Sequence, residues 1–152
     1  MSIIGLDWGR RRIGVAVATS LRFGVQPLAI IQRRSIREDW ARLTGLVEQW
    51  RPERIVLGLP LNPDGSEGAA AQAARRLARE LANQFKLVVE LFDERLTSFE
   101  AKARVAELAG EGVARRTPVD PMAAALILEG WLQAQAASEP RPAPARRAEG
   151  NR

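Results

Sequence analysis

Acidic residues at three points of this 152-residue chain stand where folding could gather them. Asp7 lies near the end of the apolar run IIGLDW at 3–8, Asp93 and Glu94 follow LVVELF at 87–92, and Asp120 precedes Pro121 and a long apolar stretch. A carboxylate at the end of a buried strand is costly unless something compensates its charge. Several carboxylates converging on cations roughly 3.5–4 Å apart are what two-metal phosphodiester hydrolysis requires. One metal activates the attacking water and the other stabilises the leaving oxygen. Mg²⁺ or Mn²⁺ suits such oxygen ligands best.

Composition narrows the chemistry to this kind. The chain has no Cys, His or Tyr, which removes disulfides, thiolates, Cys/His zinc sites, Ser-His-Asp chemistry and tyrosine nucleophiles. Any general base or metal ligand must then be Asp or Glu, assisted by Ser, Thr, Asn or Arg. The formal charge is +5, and Lys86 and Lys102 are the only lysines. Arginine forks suit phosphate and stack on bases. They cluster at Arg10-Arg11-Arg12, at Arg95 and at Arg115-Arg116, beside the three acidic points. There they would hold a nucleic-acid backbone, although solvated surface charge is the bland reading of any one cluster.

Each carboxylate has a structural alternative as well. Asp7 could be a turn residue bonded to the amides of the Gly9–Arg12 turn. Asp93 and Glu94 are adjacent, so they point to opposite faces of a strand and only one can face Asp7. The other would pair with Arg95. Asp120 before Pro121 is what helix capping alone would select, yet a carboxylate can cap a helix and ligate a metal at once.

The elements that must position these residues are legible in the hydrophobic periods. Runs at 3–8 and 13–19 are rich in β-branched residues and flank the turn-forming GRRR, so they read as a hairpin. The run at 25–32 extends it, with Pro27 marking an edge strand. Ser35 and Glu38 have capping-box spacing ahead of a helix over 37–50, whose stripe is Trp40, Leu43, Val47 and Trp50. RIVLGLP at 54–60 reads as a strand buried on both faces, and Asn62-Pro63-Asp64-Gly65 as a turn. A second helix is expected over 68–85 and a further buried strand over 87–92. Thr97 and Glu100 open a helix to about 109, a basic loop follows, and Asp120 starts a buried helix through Gln135. The order β-β-β-α-β-α-β-α-α implies an α/β fold: a mixed five-stranded sheet, its first three strands antiparallel, covered by helices. One domain over 1–137 is expected, with 138–152, rich in Pro and Arg, as a disordered tail. No apolar run approaches the roughly 18 residues of a membrane span, and the chain reads as soluble, cytoplasmic and monomeric or homodimeric.

Four segments together, GLDWGRRRIGVA (5–16), GLPLNPDGSEG (58–68), FDERLTSFEA (92–101) and VDPMAAALILEGWL (119–132), resemble the YqgF family. These are RNase H-like proteins described as Holliday junction resolvases or pre-16S ribosomal RNA nucleases. The resemblance implies an RNase H-like fold and a metal-dependent nuclease with Asp7, Glu94 and Asp120 as catalytic and metal-binding residues, and Asp93 as a neighbour. It places Asn62 and Gly65 in a substrate-side loop and lines the site with Arg95, Thr97 and Ser98. Pro121 departs from the family, which often has a small polar residue there. The implied substrate is the 5′ end of pre-16S rRNA, and a four-way DNA junction is the alternative. A non-catalytic nucleic-acid-binding factor of the same fold is a further alternative. Asp7-Trp8-Gly9 also fits the Asp-x-Gly of sugar-kinase and actin-like ATPases, but those bind ATP between two such domains.

Overall fold

A computed structural model describes residues 2–19, 24–96, 102–103, 106–107 and 121–138. Its elements are β1 (Ile3–Trp8), β2 (Arg12–Ala18), β3 (Val25–Gln32), α1 (Ile36–Trp50), β4 (Arg54–Leu59), α2 (Ala69–Phe85), β5 (Val88–Asp93), a short 3-10 turn (Glu94–Leu96) and α3 (Pro121–Ser138). The strands form one sheet in the order β3-β2-β1-β4-β5. β1, β2 and β3 pair antiparallel in sequence, whereas β4 lies parallel to both β1 and β5. The C-terminal ends of β1, β4 and β5 therefore share one edge of the sheet.

Period-two alternation sends side chains from each strand into two cores. Ile4, Leu6, Ile13, Val15, Ile55 and Leu57 pack with Leu43 of α1 and Leu81 of α2. Ile3, Ala16, Ala18, Val25, Val56 and Phe92 pack on the other side with α3. Gly5 and its cross-strand partner Ala16 are small, so the helix lies almost on the sheet backbone there. A Cβ added to Gly5 would stand 2.9 Å from Leu128 Cβ and 3.1 Å from the Ala124 carbonyl oxygen. This contact explains why α3 is so apolar: Ala124, Ala125, Ile127 and Leu128 are fully buried.

Ser35 caps α1, its Oγ accepting from Glu38 N–H at 3.1 Å. Pro27 does lie on an edge strand. It sits at a register shift, where Val15 pairs with Ala29 and Ala16 with Pro27, leaving Leu28 as the extra residue of a bulge. The strand at 87–92 is a correction. As β5 it is the opposite edge of the sheet and pairs only with β4, so Val88 is 56% exposed and Phe92 alone is fully in the core. It also runs one residue further than expected, through Asp93. The last helix continues to Ser138, past the expected domain boundary. Of the helix expected over 97–109, only Lys102, Ala103, Ala106 and Glu107 are described, and they are helical. Residues 139–152 lie outside the described residues.

Candidate active site

Asp7 sits two residues beyond Gly5 on β1, so alternation aims it at the α3 side of the sheet. Leu6 pairs with Leu57, which places Gly58 of β4 beside Asp7. Gly58 in turn pairs with Phe92 on β5. Phe92 faces the α3 core, and Glu94, two residues on, comes back over the same face as the chain enters the 3-10 turn. A Cβ added at Gly58 would lie 3.4 Å from Glu94 Oε1 and 2.6 Å from Ile127 Cδ1. The missing side chain at 58 thus leaves the space over which Asp7 and Glu94 face each other.

Their electrostatics follow from that placement. Burial raises the pKa of Asp7 above its ordinary 3.8. Loss of solvent around its carboxyl raises the pKa of Glu94 above its ordinary 4.5, and the charges of Asp7 and Asp93 push it further the same way. Among the described residues neither carboxylate has a hydrogen bond or an ion pair. The turn-residue alternative for Asp7 is not what the backbone shows: Gly9 N–H donates to the Arg12 carbonyl at 2.8 Å instead.

Asp93 is treated differently. Its Oδ1 accepts from Arg95 N–H at 3.0 Å, and its Oδ2 accepts from Arg95 Nη2 at 2.8 Å. Those bonds hold its pKa below the ordinary carboxylate value. The Arg95 guanidinium also lies over Gly65, whose φ of +88° is a backbone conformation that side-chain-bearing residues rarely adopt. Arg95, expected to contact nucleic acid, is exposed, and its guanidinium lies between Asp93 at the end of β5 and Gly65 in the loop at 60–68. Within that loop Asn62 Nδ2 donates to Ser66 Oγ at 3.0 Å, and Gly65 N–H to the Asn62 carbonyl at 2.8 Å. Asn62 therefore shapes the loop from its exposed surface.

The β1–β2 turn is fixed by two residues that sequence reasoning did not single out. Arg33 Nη1 donates to the Gly9 carbonyl at 2.9 Å, and its Nε to Asp39 Oδ2 at 2.9 Å. Its guanidinium lies 5.1 Å above the Trp8 ring. Arg10 and Arg11 project from this turn as exposed residues, while Arg12 is half-buried at the start of β2. No local signal marks Arg33, because its partners lie 6 and 24 residues away. Gly58 did carry a signal, since a glycine inside a strand often marks a close approach.

Against known proteins, the RuvX family profile, described as Holliday junction resolvase, matches residues 1–134. The chain belongs to the RuvX family. This is the family named YqgF above. A protein of Azotobacter vinelandii named "Putative pre-16S rRNA nuclease" is 46% identical over 131 residues, 86% of this chain and 92% of its own. A protein of Anaeromyxobacter with the same name is 46% identical over 132 residues, 87% of this chain and 96% of its own. Among solved structures, Thermus thermophilus RuvC superposes with a TM-score of 0.62 at 15% identity, covering 90% of this chain and 97% of that one. The same enzyme in complex with a Holliday junction substrate gives 0.63 at 14% identity, covering 90% and 96%. At that identity the likeness establishes the RNase H-like fold.

For this RuvX-family chain, Asp120, Thr97, Ser98, Arg115 and Arg116 lie outside the described residues. The direction of α3 is clear nonetheless. Trp131 lies under the Arg54 guanidinium at the start of β4, and Ile127 lies against Gly58 near its end. The helix thus runs antiparallel to β4, and its first turn points to the edge that carries Asp7 and Glu94. Among the described residues no three His, Cys, Asp or Glu side chains form a group that could hold a metal. Two facing hard-oxygen donors with no cationic partner among the described residues nevertheless fit a divalent ion chemically, because an added positive charge relieves both desolvation and mutual repulsion.

Proposed function

We propose that this chain is a divalent-metal-dependent nuclease whose centre is Asp7 and Glu94, completed by Asp120. The observation that carries the reading is the facing pair of carboxylates with raised pKa and no cationic partner among the described residues. Such a pair is costly to keep unless something from outside compensates it. Asp7, Glu94 and Asp120 would hold Mg²⁺ or Mn²⁺, which when bound would activate water and stabilise the leaving oxygen of a phosphodiester. The chain's own contribution is placement. β1 fixes Asp7, Gly58 keeps the space before it open, and the 3-10 turn brings Glu94 over the same face. Arg95 holds Asp93 away from the pair. Arg10, Arg11 and Arg12, with Arg115 and Arg116, would bind the phosphate backbone, while Asn62, Arg95, Thr97 and Ser98 would line the substrate path.

The favoured substrate is the 5′ end of pre-16S rRNA in the cytoplasm, supported by the names of relatives that align over nearly their full length. Resolution of four-way DNA junctions is the second reading, supported by the family's description. A junction resolvase would need a dimer presenting two sites. The deciding experiment compares pre-16S rRNA, unstructured single-stranded RNA and a four-way DNA junction with Mg²⁺ and with Mn²⁺, using Asp7→Asn as control. Cleavage of pre-16S rRNA that disappears in the variant is expected. Metal-independent binding without cleavage of any substrate would sink the nuclease reading and leave a nucleic-acid-binding factor.

A further inference from the structure

The same sheet edge carries a second feature on its other face. Between β1, β4 and the N-terminal half of α2 lies an open cavity of about 570 Å³. That is well inside the roughly 300–1,000 Å³ of ordinary ligand pockets. One wall is the Trp8 ring capped by Arg33, and the opposite wall is a run of α2 residues that includes Ala70, Ala73 and Leu77. Those α2 positions recur at helical spacing, so they present one apolar strip to the cavity. Arg10 and Arg76 complete the lining.

Among the described residues neither Arg10 nor Arg76 has an ion pair, and none of those that line the cavity is a carboxylate. The nearby acids are engaged elsewhere: Glu67 with Arg75, and Asp39 with Arg33. α2 begins at Gly68 without a side-chain cap and without an acidic residue in its first turn, so its amide dipoles reinforce the arginines rather than oppose them. An apolar strip and an aromatic wall beside unpaired guanidinium groups match a planar base joined to a phosphate. A bare anion would leave the strip unused, and an apolar ligand would leave the arginines uncompensated.

We propose that this cavity binds one phosphorylated nucleoside, its base on the α2 strip and its phosphate on Arg10 and Arg76. Gly58 lines the cavity and also faces Glu94, so the occupied cavity abuts the carboxylate pair across the thickness of one strand. The assignment rests on the nuclease reading only where the nucleoside belongs to a substrate strand. An unstacked nucleotide next to the cleaved phosphate would fold over the sheet edge into the cavity, its base held by stacking and apolar contact. A free mononucleotide has the same chemistry.

The test uses the full chain without divalent metal and reads binding alone. AMP, CMP and inorganic phosphate are titrated by calorimetry, and a fluorescently labelled single-stranded RNA by anisotropy. Ala73→Phe fills the cavity and Arg76→Glu reverses its rim. Both positions are exposed on α2, and circular dichroism checks that the helix survives. Each variant is expected to weaken nucleotide or RNA binding by roughly ten-fold. Loss of both mononucleotide and RNA binding assigns a free nucleotide site that a strand also uses, and loss for RNA alone assigns the strand. Unchanged binding in both variants overturns the proposal, as does phosphate binding as tightly as AMP. A chain that binds nucleotide here but cleaves nothing would overturn the nuclease reading and leave the cavity standing.

Discussion

Asp39 and Asp7 are aspartates on regular elements near the same turn, and the fold handles them in opposite ways. Asp39 is 1% exposed in the first turn of α1 and receives Arg33 at 2.9 Å, while its other oxygen has no hydrogen bond among the described residues. The arginine therefore carries the compensation, aided by the helix dipole. Asp7 is half-buried at the end of β1, faces Glu94, and has no such partner among the described residues. The structure supplies a cation to Asp39, and it does so again for Asp93 with Arg95. Asp7 receives none among the described residues, and an uncompensated buried charge of that kind is the arrangement expected of a functional site. The contrast separates structural acids from candidate ligands without reference to any relative.

The sharpest way to break this contrast is to neutralise one member of each class. Asp7→Asn and Glu94→Gln are expected to lower metal-dependent cleavage by roughly 10³-fold or more, with thermal stability unchanged or raised. Asp93→Asn should affect cleavage far less, because Arg95 already occupies its carboxylate. Turnover measured for the three purified variants decides it. Full loss in Asp93→Asn with activity retained in Glu94→Gln would reverse the assignment of faces.

Much of this was readable from the chain, for physical reasons that can be named. Alternation along β1 and β5 required one of Asp93 and Glu94 to face Asp7, and Pro27 announced the edge strand it occupies. The sequence LVVELF, however, looks as buried as RIVLGL, and only strand order makes one an edge and the other central. Arg33 was silent because its three partners meet only once β1, the following turn and α1 are assembled. The arginine-lined cavity was silent for the same reason: α2 must lie against β4 before Arg76 and Arg10 share a space. Local period finds which face a residue takes, whereas tertiary placement decides what it meets there.

The second prediction concerns the stored acid. Arg33→Ala removes the cation from Asp39, the donor to Gly9 and the cover of Trp8 in one change. Breaking a buried pair in this way costs roughly 3 kcal/mol. Chemical denaturation should show that loss. A change within about 0.5 kcal/mol, the range of ordinary surface substitutions, would mean that Asp39 needs no partner and would remove the contrast with Asp7.

Two glycines test how tightly α3 is held over the carboxylate side. Gly5→Ala drives a methyl against Leu128 Cβ and the Ala124 backbone, neither of which can swing aside. It should cost about 1–3 kcal/mol by overpacking and lower activity by shifting the helix that follows Asp120. Gly58→Ala meets only the end of the Ile127 side chain at its tightest point. A rotamer adjustment there costs about 1 kcal/mol. Equal losses in the two variants would show that α3 does not rest on the β1 backbone as closely as the distances imply.

The smallest effect is in pH dependence, and its sign distinguishes the two kinds of acid. Asp7 and Glu94 have folded-state pKa values raised from 3.8 and 4.5, so the folded chain takes up protons that the unfolded chain does not. Stability therefore falls as pH rises from those ordinary values through the raised ones, and the penalty is constant above them. Asp93 is lowered from 3.8 by Arg95, so its contribution is present above that value and is lost only as pH falls through the lowered one. Melting curves of wild type and Asp7→Asn without divalent metal should separate at neutral pH, with the variant higher, and converge as pH falls toward 3.8. Mg²⁺ should then raise the wild type more than the variant, because only the folded pair offers the ion its full charge. Curves that run parallel across this range, with or without Mg²⁺, would show that Asp7 meets no uncompensated charge. The carboxylate pair would then be no different in kind from Asp39.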